Sequence, residues 1–368
     1  MAQDMKVCML TSGHDPWDDR IFHREAKSLS GMGCDVSVIA PGDVRSAFRE
    51  DGVKVVPVRP FGKGLVRRIG IVWDLLRKGL DLRADVYHCH EPESLSVGVI
   101  LKVLTRAKVI YDVHEHWPSL ISAHFSGPLR KVVFLFVKVL EDLTAEGADA
   151  VISVSGSLRA GAEVVHNCPP LRSFTPLRKG PPGRLVVYEG GISPDRGLSV
   201  FLEALLRVRD AFPDVVFKVV GDLRGEDEGW VREFVGKHNL KANFEITGWL
   251  PYSEVPRRLM EADVGVILFQ PVLYNNIVGA PNKLFEYMAA GLPVVAPDFP
   301  EMGRVVREVG CGVLVDPTDP EAVARAVISL LSDPEEARRM GRRGRKAVEE
   351  RYCWERMEGR LAKVYASL

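Results

Sequence analysis

The strongest constraint on the fold is an alternation of short β-branched runs with longer amphipathic stretches along the whole chain. In the first half the predicted strands are Met5–Leu10, Asp35–Ala40, Val53–Val58, Val86–Cys89, Val109–Val113 and Ala150–Val154. In the second half they are Leu185–Tyr188, Val215–Val220, Phe244–Thr247, Val264–Phe269, Pro293–Ala296 and Gly312–Val315. Apolar strands that are separated by helices indicate parallel sheets covered on both faces. We therefore predict an α/β fold with doubly wound parallel sheets.

A proline-rich stretch divides this pattern into two halves. Residues 167–183 read NCPPLRSFTPLRKGPPG and follow neither helical nor strand periodicity, which is typical of a linker. A chain of 368 residues is long enough for about two domains. We predict a first Rossmann-like domain at 1–168 that includes the C-terminal helix 352–368, a linker at 169–183, and a second Rossmann-like domain at 184–351. The two are expected to face each other across a cleft.

The composition excludes several classes of protein. Lys+Arg and Asp+Glu both number 49, so the net charge is zero, which argues against a nucleic-acid partner. The six cysteines are far apart in the sequence and form no C-x-x-C pair, which is typical of buried thiols in a reducing compartment. No signal-peptide pattern opens the chain, and no apolar run reaches the ~18 residues of a membrane span. We expect a cytoplasmic protein.

The glycine motifs of the best-known nucleotide enzymes are missing from the sequence. No strand is followed by G-x-G-x-x-G, and there is neither a G-x-x-x-x-G-K-[ST] loop nor a G-x-S-x-G turn. This counts against a nicotinamide dehydrogenase, a P-loop nucleotidase and an α/β-hydrolase.

The segment Pro281–Asp298, PNKLFEYMAAGLPVVAPD, is the most informative. Pro281 fits the start of a helix, and a helix N-terminus with Lys283 in its first turn suits a phosphate group. Glu286 follows one turn after Asn282 and can accept two hydrogen bonds from a vicinal diol such as a ribose. An ordinary surface helix would fit the same pattern.

Two further strand ends carry glycine. After the strand at Leu185–Tyr188, Gly190 and Gly191 precede a turn, and Arg196 stands just before the next helix. Paired glycines let the backbone approach a ligand closely, and an arginine can hold phosphate oxygens through two hydrogen bonds. Gly221 ends the following strand and is expected at the same sheet edge.

Together, the segments EGGISPDRGLSVFLEAL, VVGD, ITGWLPYSEVPRRLMEADVGVILF and PNKLFEYMAAGLPVV resemble the donor-binding domain of the family 4 retaining glycosyltransferases, which have the GT-B fold. The first half resembles the acceptor-side domain of members that build cell-surface polysaccharides, through DDRIFHREAKSLSGMGCDVSVIAP, DVYHCHEPESL, VIYDVHEHWP and ADAVISVSGSLR. The resemblance implies retaining, metal-independent transfer of a sugar from a nucleoside diphosphate sugar, a UDP- or GDP-sugar, to a hydroxyl of a glycan or lipid-linked acceptor. It implies no cofactor besides this donor.

The resemblance also assigns residues. It places catalytic roles at His114, Arg196 and Glu286. It places the donor-binding residues at Gly13, His14, Gly190, Gly191, Arg196, Gly248, Asn282, Lys283 and Glu286. By this resemblance Glu286 holds the ribose, while Arg196 and the amides near Asn282 and Lys283 hold the diphosphate. His114 lies near the donor sugar, the loop of Gly13 and His14 faces the diphosphate, and Gly248 stands where backbone recognises the base.

Two positions depart from the family pattern. Many members carry a glutamate eight positions before the one at Glu286, where this chain has Val278, and many carry an arginine at the position of Gly191. Two alternatives therefore stay open. One is a nucleotide-sugar 2-epimerase on the same fold, and the other is a GT-B protein that binds a nucleotide sugar without turnover.

Two further patterns bear on metals and membranes. The pairs His88/His90 and His114/His116 share strand faces and offer ligands that zinc or manganese uses, but no cysteine cluster or carboxylate completes the set, so we predict no metal. Residues Arg59–Arg83 interleave basic and apolar side chains, which suits either a solvated helix face or peripheral contact with the inner membrane surface.

Overall fold

The computed structural model describes residues 4–42, 46–59, 62–175, 183–223 and 228–368. The chain divides into two compact units, which we call unit 1 (Met1–His166 with Met357–Leu368) and unit 2 (Asn167–Arg356). Each unit is built around a sheet of mainly parallel strands, so the predicted α/β fold is confirmed. Residues 176–182 of the predicted linker lie outside the described residues.

Unit 1 contains an eight-stranded sheet in the order β3-β4-β2-β1-β5-β6-β7-β8. The strands are β1 Lys6–Leu10, β2 Asp35–Pro41, β3 Phe48–Glu50, β4 Val53–Val58, β5 Val86–Cys89, β6 Lys108–Val113, β7 Ala150–Ser153 and β8 Glu163–Val164. The helices are a π-helix at Ile21–Ala26 followed by α1 Lys27–Gly31, α2 Gly64–Leu82, α3 Pro92–Thr105, α4 Trp117–Ser122 and α5 Gly127–Ala145.

The helices of unit 1 cover both faces of its sheet. The connections that contain α2, α3 and α5 all lead in one direction across the sheet, whereas the connection from β1 to β2 leads in the other. Because crossovers between parallel strands are right-handed, α2, α3 and α5 share one face, and the π-helix and α1 lie on the opposite face. The hydrophobic core beneath α2, α3 and α5 includes Leu75, Tyr87, Leu101 and Tyr111.

An antiparallel hairpin at the edge of this sheet was not predicted. β3 pairs antiparallel with β4, and the two-residue turn between them is Asp51–Gly52, with φ of 49° and 82°. Two consecutive left-handed residues are the geometry of a hairpin turn, and Asp-Gly is a sequence that favours it. The signal was present in the sequence, but the three-residue strand before it is too short to show a period.

Unit 2 contains a six-stranded parallel sheet in the order β11-β10-β9-β12-β13-β14. The strands are β9 Leu185–Glu189, β10 Val216–Val220, β11 Phe244–Ile246, β12 Val264–Val266, β13 Val294–Pro297 and β14 Gly312–Val315. The helices are α6 Leu198–Ala211, α7 Glu228–Lys237, α8 Val255–Met260, α9 Tyr274–Val278, α10 Asn282–Ala289, α11 Pro300–Val309, α12 Pro320–Ser332, α13 Pro334–Glu350 and α14 Trp354–Ala366. Short 3-10 turns occupy Leu171–Ser173, Pro194–Arg196 and Tyr252–Glu254.

The strand order of each sheet places its ligand site. The direction of the connections reverses between β1 and β5 in unit 1 and between β9 and β12 in unit 2. In open α/β sheets the loops diverge at such a point and leave a crevice beyond the carboxyl ends of the strands. The crevice of unit 1 is therefore bordered by the residues after β1, β5 and β6, and that of unit 2 by the residues after β9 and β12.

The last helix belongs to both units. α14 begins at Trp354 in unit 2, and from Met357 onward the chain belongs to unit 1, where the hydroxyl of Tyr365 lies 2.9 Å from Nδ1 of His88.

All six cysteines lie in the described residues and are buried with free thiols. Among the helices described, none combines the length and apolarity that crossing a bilayer requires.

Candidate functional site

Two basic side chains lie beyond the carboxyl end of β9 in unit 2. Lys283, in the first turn of α10, is 5% exposed, and its Nζ lies 4.0 Å from the centre of the Tyr188 ring. The second basic side chain is Arg196. Both cations lie near the Phe269 ring, whose centre is 5.1 Å from Nζ of Lys283 and 5.6 Å from Cζ of Arg196. Two neighbouring cations at the end of parallel strands suit an anion with two charges.

Glycines allow the chain to turn tightly around these cations. Gly190 has φ of 84°, and a Cβ there would lie 3.8 Å from Nζ of Lys283. Gly197 has φ of 88°, and a Cβ there would lie 2.4 Å from the carbonyl oxygen of Leu268, so no larger residue fits at the start of α6. Arg196 donates to the carbonyl of Gly191 at 3.3 Å. The structure thus brings the predicted residues Gly190, Gly191, Arg196 and Lys283 together.

Glu286 lies on the same helix as Lys283. It is 2% exposed, and its Oε1 accepts a hydrogen bond from the Tyr252 hydroxyl at 3.0 Å. Asn282 is the first residue of α10, so Pro281 caps the helix in an extended conformation instead of forming its first residue. Tyr252, which the sequence pattern did not single out, fixes the orientation of the Glu286 carboxylate.

Gly248 lies at the other end of the same sheet edge. It has φ of 72°, and its carbonyl accepts from the Thr247 hydroxyl at 2.8 Å, which in turn accepts from the amide of Gly221 at 3.1 Å. Gly248 also lines a cavity of about 760 Å³ whose walls include Asp222, Leu223, Val231, Phe244 and Ile246. Val278, the position of the missing family glutamate, is buried at the end of α9.

In unit 1 the loop after β1 is closed onto a buried carboxylate. Glu91 is 1% exposed and accepts hydrogen bonds from the amides of Ser12 at 2.9 Å and Gly13 at 3.3 Å, as well as from the Thr11 hydroxyl. The amide of His14 donates to the Thr11 hydroxyl at 3.0 Å. The loop that contains Gly13 and His14 is therefore held in one conformation by β5 and α3, which flank Glu91.

The imidazole of His14 carries a positive charge at neutral pH. Its Nδ1 lies 3.1 Å from Asp18 Oδ2, and its Nε2 lies 3.6 Å from Glu91. Burial alone would lower the pKa of His14, but the hydrogen bond to Asp18 and the negative charges of Glu91 and Asp18 outweigh it and raise this pKa to about 9. A fixed cation therefore lies at the end of β1.

His114, at the end of β6, is oriented by a buried ion pair. Its Nε2 lies 2.6 Å from Asp112 Oδ2 and 3.2 Å from Nδ1 of His90, and its ring meets the His14 ring edge-on at 5.4 Å. Asp112 also accepts from Arg20 at 2.8 and 3.0 Å. Burial would raise the pKa of Asp112, but the Arg20 guanidinium holds it well below its usual range.

Asp112 belongs to a wholly buried group with Glu25, His88 and His90, and one ligand atom from each lies within 4.8 Å of the others. The sequence pattern had revealed no carboxylate for these histidines, whereas the fold supplies two. Arg20 contacts both of them and balances the charge of the ionised Asp112. His116, by contrast, caps α4 by accepting from the amide of Ser119 at 3.3 Å. That the protein works without a metal stays a prediction.

Comparisons with known sequences identify the family. Residues 173–347 match the family described as glycosyl transferases group 1, and residues 19–177 match the glycosyl transferase 4-like domain. The two matches together span most of the chain. The protein belongs to the family 4-type glycosyltransferases. It is therefore an enzyme of sugar transfer.

Relatives of this glycosyltransferase match it over nearly their whole length. The phosphatidyl-myo-inositol mannosyltransferase of Mycobacterium leprae is 28% identical over 360 residues, which cover 93% of this chain and 91% of the relative. The glycogen synthase of Mycobacterium tuberculosis is 24% identical over 385 residues, which cover 94% of this chain and 90% of the relative.

Solved structures share the fold of this glycosyltransferase. The sucrose-phosphate synthase of Thermosynechococcus elongatus superposes with a TM-score of 0.78 at 16% identity, over 99% of this chain and 98% of that one. The Anabaena protein HepE, solved with UDP-glucose, superposes with a TM-score of 0.73 at 18% identity, over 99% of this chain and 100% of that one. The predicted GT-B fold is confirmed by these likenesses.

Proposed function

We propose that this glycosyltransferase transfers a sugar from a UDP- or GDP-sugar to a hydroxyl of a glycan or lipid-linked acceptor, with retention of the anomeric configuration and without a metal. Relatives that are mannosyltransferases of a phosphatidyl-inositol lipid, and a structural neighbour that binds UDP-glucose, support a nucleotide-sugar donor and a lipid or glycan acceptor. The product would belong to a cell-surface polysaccharide or glycolipid. Six buried free thiols suit a reducing compartment, so we place the enzyme in the cytoplasm.

The observation that carries the proposal is the pair of cations in unit 2 beside a buried carboxylate. Lys283 and Arg196, which share contact with Phe269, hold the diphosphate, and Gly190 leaves room for it. Glu286, oriented by Tyr252, accepts hydrogen bonds from the two ribose hydroxyls. Gly248 borders the cavity between β10, β11 and α7, where the base binds against apolar walls.

The role of unit 1 rests on the family resemblance, which assigns His14 to the donor diphosphate and His114 to the donor sugar. His14 is a fixed cation whose partner Asp18 is held ionised, and a cation of this kind stabilises the negative charge of a departing diphosphate. His114, oriented by Asp112, positions the donor sugar through its ring. Both residues act from rigid strand ends, which is the geometry that preorganised electrostatic stabilisation requires.

The transfer breaks the bond between the anomeric carbon and the diphosphate oxygen and forms a bond from that carbon to the acceptor oxygen. The acceptor hydroxyl loses its proton to the departing diphosphate on the same face of the sugar, which accounts for retention. Arg196 and Lys283 balance the charge that develops on the diphosphate, so they stabilise the transition state more than the bound donor. His114 holds the sugar in place while the bonds exchange.

A thermal-shift panel with UDP-, GDP-, ADP-, CMP- and TDP-sugars tests the donor site, with released nucleoside diphosphate measured in the same wells. A donor at ~100 times its Kd stabilises the protein by ~2.7 kcal/mol, and we expect such a shift with one base only. Glu286→Ala should abolish the shift, whereas Glu308→Ala, an exposed carboxylate on α11, should retain it. Absence of a shift with every donor would refute the proposal.

The two alternatives give different products. A 2-epimerase would change the sugar while it stays attached to its nucleotide, and it would need no acceptor. A binding protein without turnover would show the thermal shift but release no nucleotide with any acceptor. Arg196→Ala should lower kcat by a larger factor than it raises the donor Kd, and equal changes would remove Arg196 from the transition state.

A further inference from the structure

Helix α5 of unit 1 exposes a row of apolar side chains to solvent. Val132 is 63% exposed and Phe136 is 66% exposed, and they belong to a row of exposed apolar residues spaced three and four apart: Leu129, Val132, Phe136, Val139 and Leu143. The side that packs inward carries Glu141, which is 5% exposed and accepts from the Tyr111 hydroxyl at 2.7 Å. The same inward side also carries the half-buried Val133, Phe134 and Val137, so α5 is apolar on both sides, whereas the outward side of a soluble surface helix is normally polar.

The exposed apolar surface continues across the two neighbouring helices. α3 packs against both α2 and α5: Gly79 of α2 lies against Leu101, and Lys102 donates to the carbonyl of Gly147, just beyond α5. The outer surfaces of α2 and α3 also expose large apolar residues, namely Val66, Ile69, Trp73, Ile100, Val103 and Leu104. We name the outer surface of α2, α3 and α5 the apolar face. Exposed patches of this extent mark interaction sites.

Charge at the apolar face is mainly basic, although the whole chain is neutral. Lys131 and Lys138 border the apolar row of α5. The basic residues of the three helices are Arg67, Arg68, Arg77, Lys78, Lys102, Arg130, Lys131 and Lys138. The acidic ones are Asp74, Asp81, Glu93, Glu141 and Asp142, of which Asp74, Glu93 and Asp142 form ion pairs with basic residues of the same helices. Glu141 is 5% exposed, and burial raises the pKa of its carboxyl group.

We propose that the apolar face docks this enzyme onto an anionic lipid bilayer. Aliphatic residues and a tryptophan that share a surface with lysines and arginines are the composition of a helix lying in a membrane interface. A second copy of the chain fits less well, because a two-fold interface would bring the basic border of the face against itself. The inference rests on the proposed function and deepens it, since it specifies a membrane-borne acceptor.

The apolar face includes most of the segment Arg59–Arg83, for which the sequence left a solvated helix face and membrane contact as alternatives. Most of the exposed apolar residues of the face lie on α5. A polar cavity of about 360 Å³ lies along α5, lined among others by Glu115, His116, Lys138 and Arg159. Residues of α5 therefore line one cavity together with Glu115 and His116, the two residues after His114.

Co-sedimentation with vesicles tests the proposal on the full chain. We expect the protein to pellet with vesicles of phosphatidylcholine mixed with phosphatidylglycerol, and to pellet far less with phosphatidylcholine alone or at high salt. Val132→Glu/Phe136→Glu should abolish pelleting, whereas Val272→Glu, which changes an equally exposed residue of unit 2, should leave it intact. Pelleting lost equally in both variants, or absent from the unchanged protein, would overturn the proposal.

A second pair of variants tests the electrostatic part. Each basic residue near an anionic surface contributes roughly fivefold to partitioning, so Arg130→Gln/Lys131→Gln should weaken binding roughly 30-fold. Arg338→Gln/Arg342→Gln on α13 of unit 2 removes the same charge from an exposed position elsewhere and should weaken it little. Equal weakening by the two pairs would mean that net charge alone, and not the apolar face, drives binding.

Two parallel measurements separate the other outcomes. Light scattering would show whether the unchanged protein is a dimer and whether Val132→Glu/Phe136→Glu is a monomer. If so, and if the unchanged protein does not bind vesicles, the apolar face contacts a second copy and the proposal is overturned. The donor thermal shift should persist in every one of these variants. Absence of vesicle binding by the unchanged protein, with its donor shift intact, would refute only the docking face, whereas a missing donor shift in the unchanged protein would refute the proposed function.

Discussion

Two buried acidic residues of unit 1 should lose very different amounts of stability when each is replaced by its amide. Asp112 and Glu25 are both fully buried and both contact Arg20. Asp112 receives two hydrogen bonds from the guanidinium and is held ionised, because its pKa lies well below the usual range. Burial raises the pKa of Glu25 well above the ordinary value, so Glu25 is a neutral acid, and its Oε1 lies 3.0 Å from Nε of Arg20.

Asp112→Asn keeps the shape of the side chain but leaves the Arg20 guanidinium buried without an anion. Removing one partner of a buried ion pair costs about 3–5 kcal/mol. For a unit of this size, 1 kcal/mol lowers the Tm by about 2–4 °C, so we expect the Tm of unit 1 to fall by ~10 °C. Glu25→Gln replaces one neutral group by another and should lower the Tm by no more than about 3 °C.

Differential scanning calorimetry of the two variants at neutral pH makes the comparison, with circular dichroism to confirm that each is folded before heating. Each substitution replaces a carboxylate by its amide, so side-chain volume is matched. Equal losses of Tm, or a larger loss for Glu25→Gln, would show that the negative charge does not reside on Asp112. The orientation of His114 by an ionised Asp112 would then have to be abandoned.

Three further predictions concern charge, donor recognition and metal. His14 has a pKa of about 9 in the folded chain against 6.5 in the unfolded chain, so its stabilisation is fully present below about pH 6.5 and is lost as the pH rises through about 9. His14→Asn should accordingly lower the Tm at about pH 6 by several degrees and leave it unchanged at about pH 10; a loss of the same size at both pH values would contradict the assignment. Tyr252→Phe removes the hydrogen bond to Glu286 and should weaken donor binding roughly tenfold by calorimetry, while an unchanged Kd would exclude Tyr252 from the site. Transfer should survive dialysis against a chelator, with no stoichiometric metal in elemental analysis; activity that is lost and then restored by manganese would instead assign a metal to the group of Glu25, His88, His90 and Asp112.

Periodicity was sufficient to predict most of the fold. Each of the twelve predicted strands is present, because an apolar β-branched run is buried wherever a parallel sheet forms. The two missed strands, β3 and β8, have three and two residues, which is too few to show a pattern. The predicted helix at Arg20–Gly31 begins as a π-helix at Ile21–Ala26, where the amide of Glu25 donates to the carbonyl of Arg20 at 2.9 Å.

The candidate site could be predicted only in part. Lys283 and Glu286 lie in one motif, so their proximity follows from helix geometry. The neighbours that orient and charge these groups come from distant segments: Tyr252 reaches Glu286 across 34 residues, and Arg20 reaches Asp112 across 92. No local pattern contains such pairs, because they form only when the sheet brings its strand ends together.

The sequence by itself determined which segments are strands and helices, where the glycines and charged residues of the strand ends lie, and which family the chain resembles. These properties depend on side-chain periodicity and on residue types at short spacing. Only the tertiary structure decided which side of each helix is buried. The spacing of Leu129, Val132 and Phe136 on α5 is what a core-facing helix would show, yet these residues face solvent. Amphipathic spacing indicates that a helix has a row of apolar residues, and only the packing of the neighbouring elements determines whether that row is buried or exposed.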